Sequence, residues 1–206
     1  MIHLSVISLE KKFGTKTVFT GLDFSIQSCV LGIAGTNGSG KSTLLKCISG
    51  LLKPTKGRAD WQIDGKPISR TAIKKHLGYV APYVELYEEL SVTENLEFIK
   101  NLRNLKLNST IPAILESFEA RKLADQPFGS LSTGQRQRIK LAAALVHQPR
   151  ILVLDEPGSN LDAKGKRAVQ QLLDQYRNGR SMVLLASNMT EELDLCDEII
   201  ELNSKE

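Results

Sequence analysis

Long apolar runs are missing from this 206-residue chain: the longest, Leu141 to Val146, falls far short of the ~18 residues a membrane-spanning helix needs. Any work at a membrane is therefore expected to pass through a partner. The start, Met1-Ile2-His3-Leu4-Ser5, has neither a basic n-region nor a long apolar stretch, so no secretory signal is expected. Cysteines are few and odd in number: Cys29, Cys47 and Cys196 are widely spaced, which fits a reduced cytosolic chain better than a disulfide frame or metal site. His3, His76 and His147 share no motif, and they read as surface or structural residues. The aromatic share is 5%, and Trp61 and Tyr79 read as core or turn anchors rather than a base-stacking platform. No dense basic block accompanies the net charge of +4; Lys11-Lys12 and Lys74-Lys75 read as solvated faces, and no nucleic-acid partner is expected. There is no tandem repeat and no low-complexity tract. What remains, 41% hydrophobic and 24% charged, suits one large domain, or one domain with an inserted subdomain, around a full core.

Against that background, Gly35-Thr36-Asn37-Gly38-Ser39-Gly40-Lys41-Ser42-Thr43 stands out. It fits G-x-x-x-x-G-K-[ST], a phosphate-binding loop, at all four defining positions. The glycines let backbone N–H groups close on phosphate oxygens where a Cβ would collide. Lys41 reaches the β- and γ-phosphates, and the Ser42 hydroxyl is a ligand for Mg²⁺. The flanks agree. Cys29 to Ala34 is a short apolar run that suits a buried strand, and Leu44, Leu45 and Ile48 recur at helical spacing after Lys41. A helix opening at Lys41 aims its free N–H groups and positive dipole end at the phosphates. A bound nucleoside triphosphate is expected.

Residues 2–33 alternate apolar pairs with turn signals, notably Phe13-Gly14 and Thr20-Gly21, and predict a small β layer. Residues 91–126 predict helices, with Leu96, Ile99 and Leu102 on one face and a second helix opening near Pro112. Ile151 to Leu154 predicts a buried strand ending at Asp155-Glu156-Pro157, and residues 182–186 predict another, with an amphipathic helix from Asp162 to about Tyr176 between them. Strand, helix and strand in that order imply a parallel sheet and an α/β fold. Asn203 to Glu206 is expected to fray. Asp155 sits where a phosphate-loop enzyme keeps the acid that holds Mg²⁺, and Glu156 can turn the other way, toward an attacking water.

Leu131-Ser132-Thr133-Gly134-Gln135 opens a helical run, Gln135 to His147, that leads into the strand before Asp155. Together with the phosphate loop and the Asp-Glu strand, it resembles the ATP-binding subunits of ABC transporters, whose signature is Leu-Ser-Gly-Gly-Gln. The resemblance spans almost the whole chain. It implies a P-loop core with a mostly parallel sheet, an N-terminal antiparallel β subdomain and an inserted helical subdomain at about 83–147, all within one domain over 1–206. It also implies that Phe13 stacks on adenine and that Ser159-Asn160-Leu161-Asp162 joins the two active sites of a dimer. In that family two subunits stack head to tail, each ATP lying between one phosphate loop and the other subunit's signature. Ser132, Gly134 and the first N–H groups of their helix would then face a γ-phosphate. The implied partners are a second ATP-binding subunit, as a homodimer, and a separate transmembrane permease, with the chain peripheral on the cytoplasmic side of the cell membrane. The compact length is similar to that of small export-type subunits, including those linked to haem export.

Three positions depart from the family pattern. Thr133 replaces the first signature glycine, a mild change. Pro82 stands where the family carries a glutamine that touches Mg²⁺ and the attacking water, and it offers neither a side-chain group nor an N–H. Asn188, after Ser187, replaces the switch histidine; its NH₂ can donate to a γ-phosphate but cannot become cationic. Catalysis is therefore expected to rest on Glu156, Lys41 and Asn188, with slow hydrolysis. A soluble ATPase serving a cytosolic assembly shares every motif, and a non-hydrolysing ATP-dependent dimer switch fits Pro82 and Asn188. Tyr83, Leu86, Tyr87 and Leu90 fit either packing within the helical part or a groove for a helix of the membrane partner.

Overall fold

The fold, obtained as a computed structural model, describes residues 1–27, 30–102, 110–158, 161, 163–177 and 181–202. Cys29, the Ser159, Asn160 and Asp162 of the expected dimer loop, and Asn203 to Glu206 lie outside them. The chain forms two compact units, the first built from Met1–Leu77, Arg150–Glu156 and Leu173–Glu206, the second from Gly78–Pro149 and Pro157–Leu172.

In the first unit the chain runs through β1 (Ile2–Phe13), β2 (Lys16–Gln27), β3 (Val30–Ala34), helix α1 (Lys41–Ile48), β4 (Lys56–Ile63) and β5 (Lys66–Ile68), and β6 (Leu77–Val80) leads out of it. β1 and β2 form a hairpin closed between Phe13 and Lys16, and an antiparallel sheet of order β2-β1-β4-β5 grows from it. β1 alternates Ile2, Leu4 and Val6 into the core, then slips one residue so that Leu9 also faces inward. The slip sits at Ser8, whose backbone is left-handed at φ 45° and whose N–H is taken by the Asp23 carboxylate at 2.8 Å. A bulge of this kind is what restores the inward face after an odd count. Within the expected β layer over 2–33, Val30–Ala34 departs from this sheet. Its run of buried residues lacks the alternation of a half-exposed strand and joins a parallel sheet instead. The residues that complete the antiparallel sheet, 56–68, carried no strand expectation, since only Trp61 and Ile63 of β4 are buried.

The parallel part of the first unit adds β7 (Ile151–Asp155), β8 (Met182–Ser187) and β9 (Glu198–Glu201), which lie side by side with β3 in the order β7-β8-β3-β9. Every residue of β7 and β8 is buried. That continuous burial is the mark of central strands covered on both faces. Trp61 of β4 is 2% exposed and donates its indole N–H to the Ile48 carbonyl at 2.7 Å, which fastens the end of α1 to the β layer. Helix α5 (Ala163–Arg177) contributes to both units, and α6 (Thr190–Leu193) follows β8.

The second unit is helical: α2 (Val92–Leu102), α3 (Ile111–Ser117) and α4 (Thr133–Leu145) pack on one another. Each starts on a chemical signal. Ser91 and Glu94 exchange backbone and side-chain hydrogen bonds at the head of α2, and the Thr110 hydroxyl caps α3 with Pro112 in its first turn. The expected stripe on α2 is inward only in part. Leu96 is fully buried, whereas Leu102 is 68% exposed. The inward face is shared by Asn95, 1% exposed, whose amide bonds the carbonyls of Tyr87, Leu90 and Ser91.

Candidate functional site

The loop 35–40 leaves the C-terminal end of β3 and enters α1, so it lies at the carboxyl edge of the parallel sheet, where open α/β folds bind ligands. Its glycines are required by space as well as by backbone angle. A Cβ on Gly40 (φ 102°) would stand 2.5 Å from the Val18 side chain, and one on Gly35 (φ 153°) would stand 2.7 Å from the Leu202 carbonyl. Gly40 is the residue before α1 and has no side chain with which to cap it, so the first N–H groups of the helix stay available to an anion. Lys41 is 4% exposed; its Nζ donates to the carbonyls of Gly35 and Thr36 at 2.8 and 3.1 Å and lies 3.9 Å from Glu156 Oε1. Ser39 is 3% exposed, and its hydroxyl makes no hydrogen bond.

These groups line a cavity of about 420 Å³ with Phe13, Lys16, Thr17, Val18, Asn37 to Thr43 and Glu156. Phe13 is 52% exposed at the end of β1, with the Lys11 ammonium 4.6 Å from its ring centroid. Lys16, Thr17 and Val18 were not among the residues expected at the site. They arrive because the hairpin pairs Phe13 with Lys16, and the Phe13-Gly14 turn signal was the clue to that pairing.

Asp155 closes the strand β7 at 1% exposure. Its Oδ1 accepts the Ser42 hydroxyl at 2.9 Å, while its Oδ2 is buried with no hydrogen-bond partner. Burial pushes its carboxyl above the usual carboxylate range, the Ser42 bond opposes that rise, and the charge of Glu156 adds to it. A buried carboxylate oxygen without a donor, beside a serine hydroxyl and a phosphate loop, fits a small hard cation whose remaining ligands are phosphate oxygens and water. Among the described residues no group of three or more His, Cys, Asp or Glu is placed to hold a metal ion.

Glu156 turns away from its neighbour. Its backbone is left-handed at φ 51°, its N–H bonds the Ala186 carbonyl at 2.8 Å, and its half-buried side chain enters the cavity beside Lys41. A left-handed non-glycine residue costs of order 1–3 kcal/mol and persists only where the surroundings enforce it. Asn188, just beyond β8, donates its amide to Asn37 Oδ1 at 3.0 Å.

The second unit holds the remaining predicted residues. Ser132 caps α4: its hydroxyl accepts the Gln135 N–H, and the Gln135 side chain accepts the Ser132 N–H at 2.9 Å. As a hydroxyl it keeps a proton that it can donate. The helix starts at Thr133, two residues before the expected Gln135, because this reciprocal cap sets its first turn. Gly134 lies in that turn. Pro82 occupies a turn closed by the Val84 N–H on the Ala81 carbonyl, a position whose φ proline already satisfies. It lines a cavity of about 420 Å³ with Glu85, Thr133, Arg136, Gln137 and Lys140.

Residues 19–159 match the protein family described as ABC transporter. A daunorubicin resistance ATP-binding protein of Streptomyces coeruleorubidus is 33% identical over 203 residues, 95% of this chain and 64% of that protein. A sulfate/thiosulfate import ATP-binding protein of Mesostigma viride is 33% identical over 210 residues, 98% of this chain and 60% of that protein. The chain thus spans less than two thirds of the length of these curated relatives. Among solved structures, a dimeric ATP-binding cassette in a post-hydrolysis state with ADP and Pi superposes with a TM-score of 0.83 at 25% identity, covering 98% of this chain and 97% of that one.

Proposed function

This chain belongs to the ABC transporter family as an ATP-binding cassette, and on that premise we propose that it is the ATP-hydrolysing motor of a transporter, dimerising around ATP on the cytoplasmic face of a membrane and driving a separate membrane-spanning subunit. One domain over 1–206, with its helical part at about 83–147, serves this role. The observation that carries the reading is the shared cavity. Asn37 to Thr43 of the phosphate loop and Glu156 line it, and Ser42 in its wall is hydrogen-bonded to Asp155, whose other carboxylate oxygen is buried without a partner.

The chain's own groups divide the work. Phe13 offers a ring face to adenine, and the loop amides with the start of α1 receive the phosphates. Lys41 exchanges the Gly35 and Thr36 carbonyls for phosphate oxygens. Glu156 accepts a proton from the attacking water. Mg²⁺, held by Ser42 and Asp155, supplies charge neutralisation along the phosphates when bound. In the dimer, Ser132 and Gly134 present the head of α4 to the partner's γ-phosphate.

Pro82 contributes no donor or acceptor where the family uses a glutamine, and one lost preorganised donor slows chemistry by roughly 10²–10³. Hydrolysis is accordingly slow, and ATP-driven dimers are long-lived. Cargo is set by the membrane partner, since a resistance protein and an importer match this chain at the same 33% identity. The helix of that partner docks in the apolar groove of the second unit lined by Tyr79, Val84, Leu86, Ile99 and Leu102, beside the exposed Tyr83 and Tyr87.

The test is ATP turnover by the purified chain with Glu156→Gln as control. Turnover present in the wild type and absent in the control supports the reading. Equal turnover in both removes Glu156 from the chemistry, and no turnover with ATP still bound favours a non-hydrolysing switch.

A further inference from the structure

We propose, resting on the reading of this chain as an ATPase, that Asn188 is a positioning residue: it holds the phosphate loop through Asn37 and so favours every bound nucleotide alike, with or without a γ-phosphate. The strand ends set up the contact. β3 and β8 run parallel with Ala34 opposite Ser187, so the residues that follow each strand emerge side by side. Ser187 is 1% exposed; its hydroxyl donates to the buried Glu192 carboxylate and accepts the Met189 N–H at 2.9 Å. The backbone is thereby tied on both sides of Asn188, whose own side chain is exposed. From this anchored position the Asn188 amide reaches Asn37 Oδ1 at 3.0 Å.

Asn37 borders two cavities, the one that holds Lys41 and Glu156 and a second of about 640 Å³ behind the loop. Asn188 borders the second, together with Thr36, Leu193 and Glu201, and is not among the residues lining the first. With its donor engaged by Asn37, Asn188 stands one residue removed from the phosphates and restrains the loop that receives them. Restraining an exposed, glycine-rich loop before binding lowers the ordering cost that any nucleotide meets. That cost is the same for ADP and ATP, whereas a contact to the γ-phosphate concerns ATP alone.

Calorimetric affinities of ATP and ADP for the wild type, Asn188→Ala, Asn37→Ala and the double variant separate these cases, with melting curves to confirm that the exposed substitutions leave the fold intact. Asn188→Ala is expected to weaken ATP and ADP by the same factor, about 2–10-fold, the range of one net hydrogen bond. The double variant is expected to bind no more weakly than Asn37→Ala alone. A loss confined to ATP overturns the proposal and returns Asn188 to the γ-phosphate. Single effects that multiply, or unchanged affinities in Asn188→Ala, overturn it as well. A wild type that binds neither nucleotide overturns the ATPase reading and this inference together, which distinguishes that failure from the others.

Discussion

Asp155 is a carboxyl group held where water does not reach it, with one oxygen on Ser42 and the other without a hydrogen-bond partner. Such a group costs stability until a cation arrives, so substitution and ligand should act in opposite directions. Asp155→Asn is expected to raise the melting temperature of the ligand-free chain by about 2–4 °C, the shift of ~1 kcal/mol in a protein of this size, while abolishing the extra stabilisation that Mg²⁺ adds to ATP. A melting series with ATP alone and with Mg²⁺ and ATP checks both halves. Glu156 differs in exposure and in purpose. Glu156→Gln keeps the shape and removes the proposed base, so turnover is expected to fall about 10²–10⁴-fold with nucleotide affinity retained, read by phosphate release beside calorimetry. The aspartate and glutamate were both legible in the chain because four apolar residues precede them. The left-handed backbone that turns Glu156 toward Lys41 was not, since it depends on the N–H bond to Ala186 on a neighbouring strand.

At the scale of elements, the proposed function rests on helix ends, and their caps are testable. The Ser132–Gln135 box begins α4 and uses the Ser132 hydroxyl only as an acceptor. Ser132→Ala is expected to cost about 0.5–2 kcal/mol by urea unfolding, as other cap losses do, and to weaken ATP-driven dimerisation beyond what that destabilisation explains. Trp61 works at the opposite end of α1. Trp61→Phe leaves the Ile48 carbonyl buried without its donor, and a loss of about 1–3 kcal/mol is expected in the same assay. The start of α3 read well from sequence, because Pro112 acts within one turn of itself, whereas the Ser132 cap sets the start of α4 two residues before the expected Gln135. β4 and β5 read poorly, since much of their surface is exposed and their state is decided by pairing, β4 with the distant β1 and β5 with β4.

For the molecule as a whole, one ion pair joins the two sheets of the first unit. Asp64, in the turn between β4 and β5, receives both guanidinium nitrogens of Arg150, the residue before β7. Arg150 holds the Asp64 carboxyl well below the usual carboxylate range. A depressed carboxylate favours the folded state above its ordinary pKa of 3.8 and loses that contribution as pH falls toward the depressed value. Asp64→Asn should therefore melt lower than the wild type at pH 7, with the gap narrowing below about pH 4. At the level of the assembly, Leu102→Glu in the apolar groove is expected to leave ATP affinity unchanged and to abolish co-fractionation with membranes, and retention on membranes would sink the docking assignment. What the sequence determined by itself was local: the phosphate loop, the caps and the apolar strands, each set by the backbone freedom and side-chain chemistry of a few consecutive residues. What only the tertiary structure decided was which of them meet. Ser42 finds Asp155 across 113 positions and Asn37 finds Asn188 across 151 because β7, β8 and β3 are neighbours in one parallel sheet, and strand order is a property of the whole packed chain.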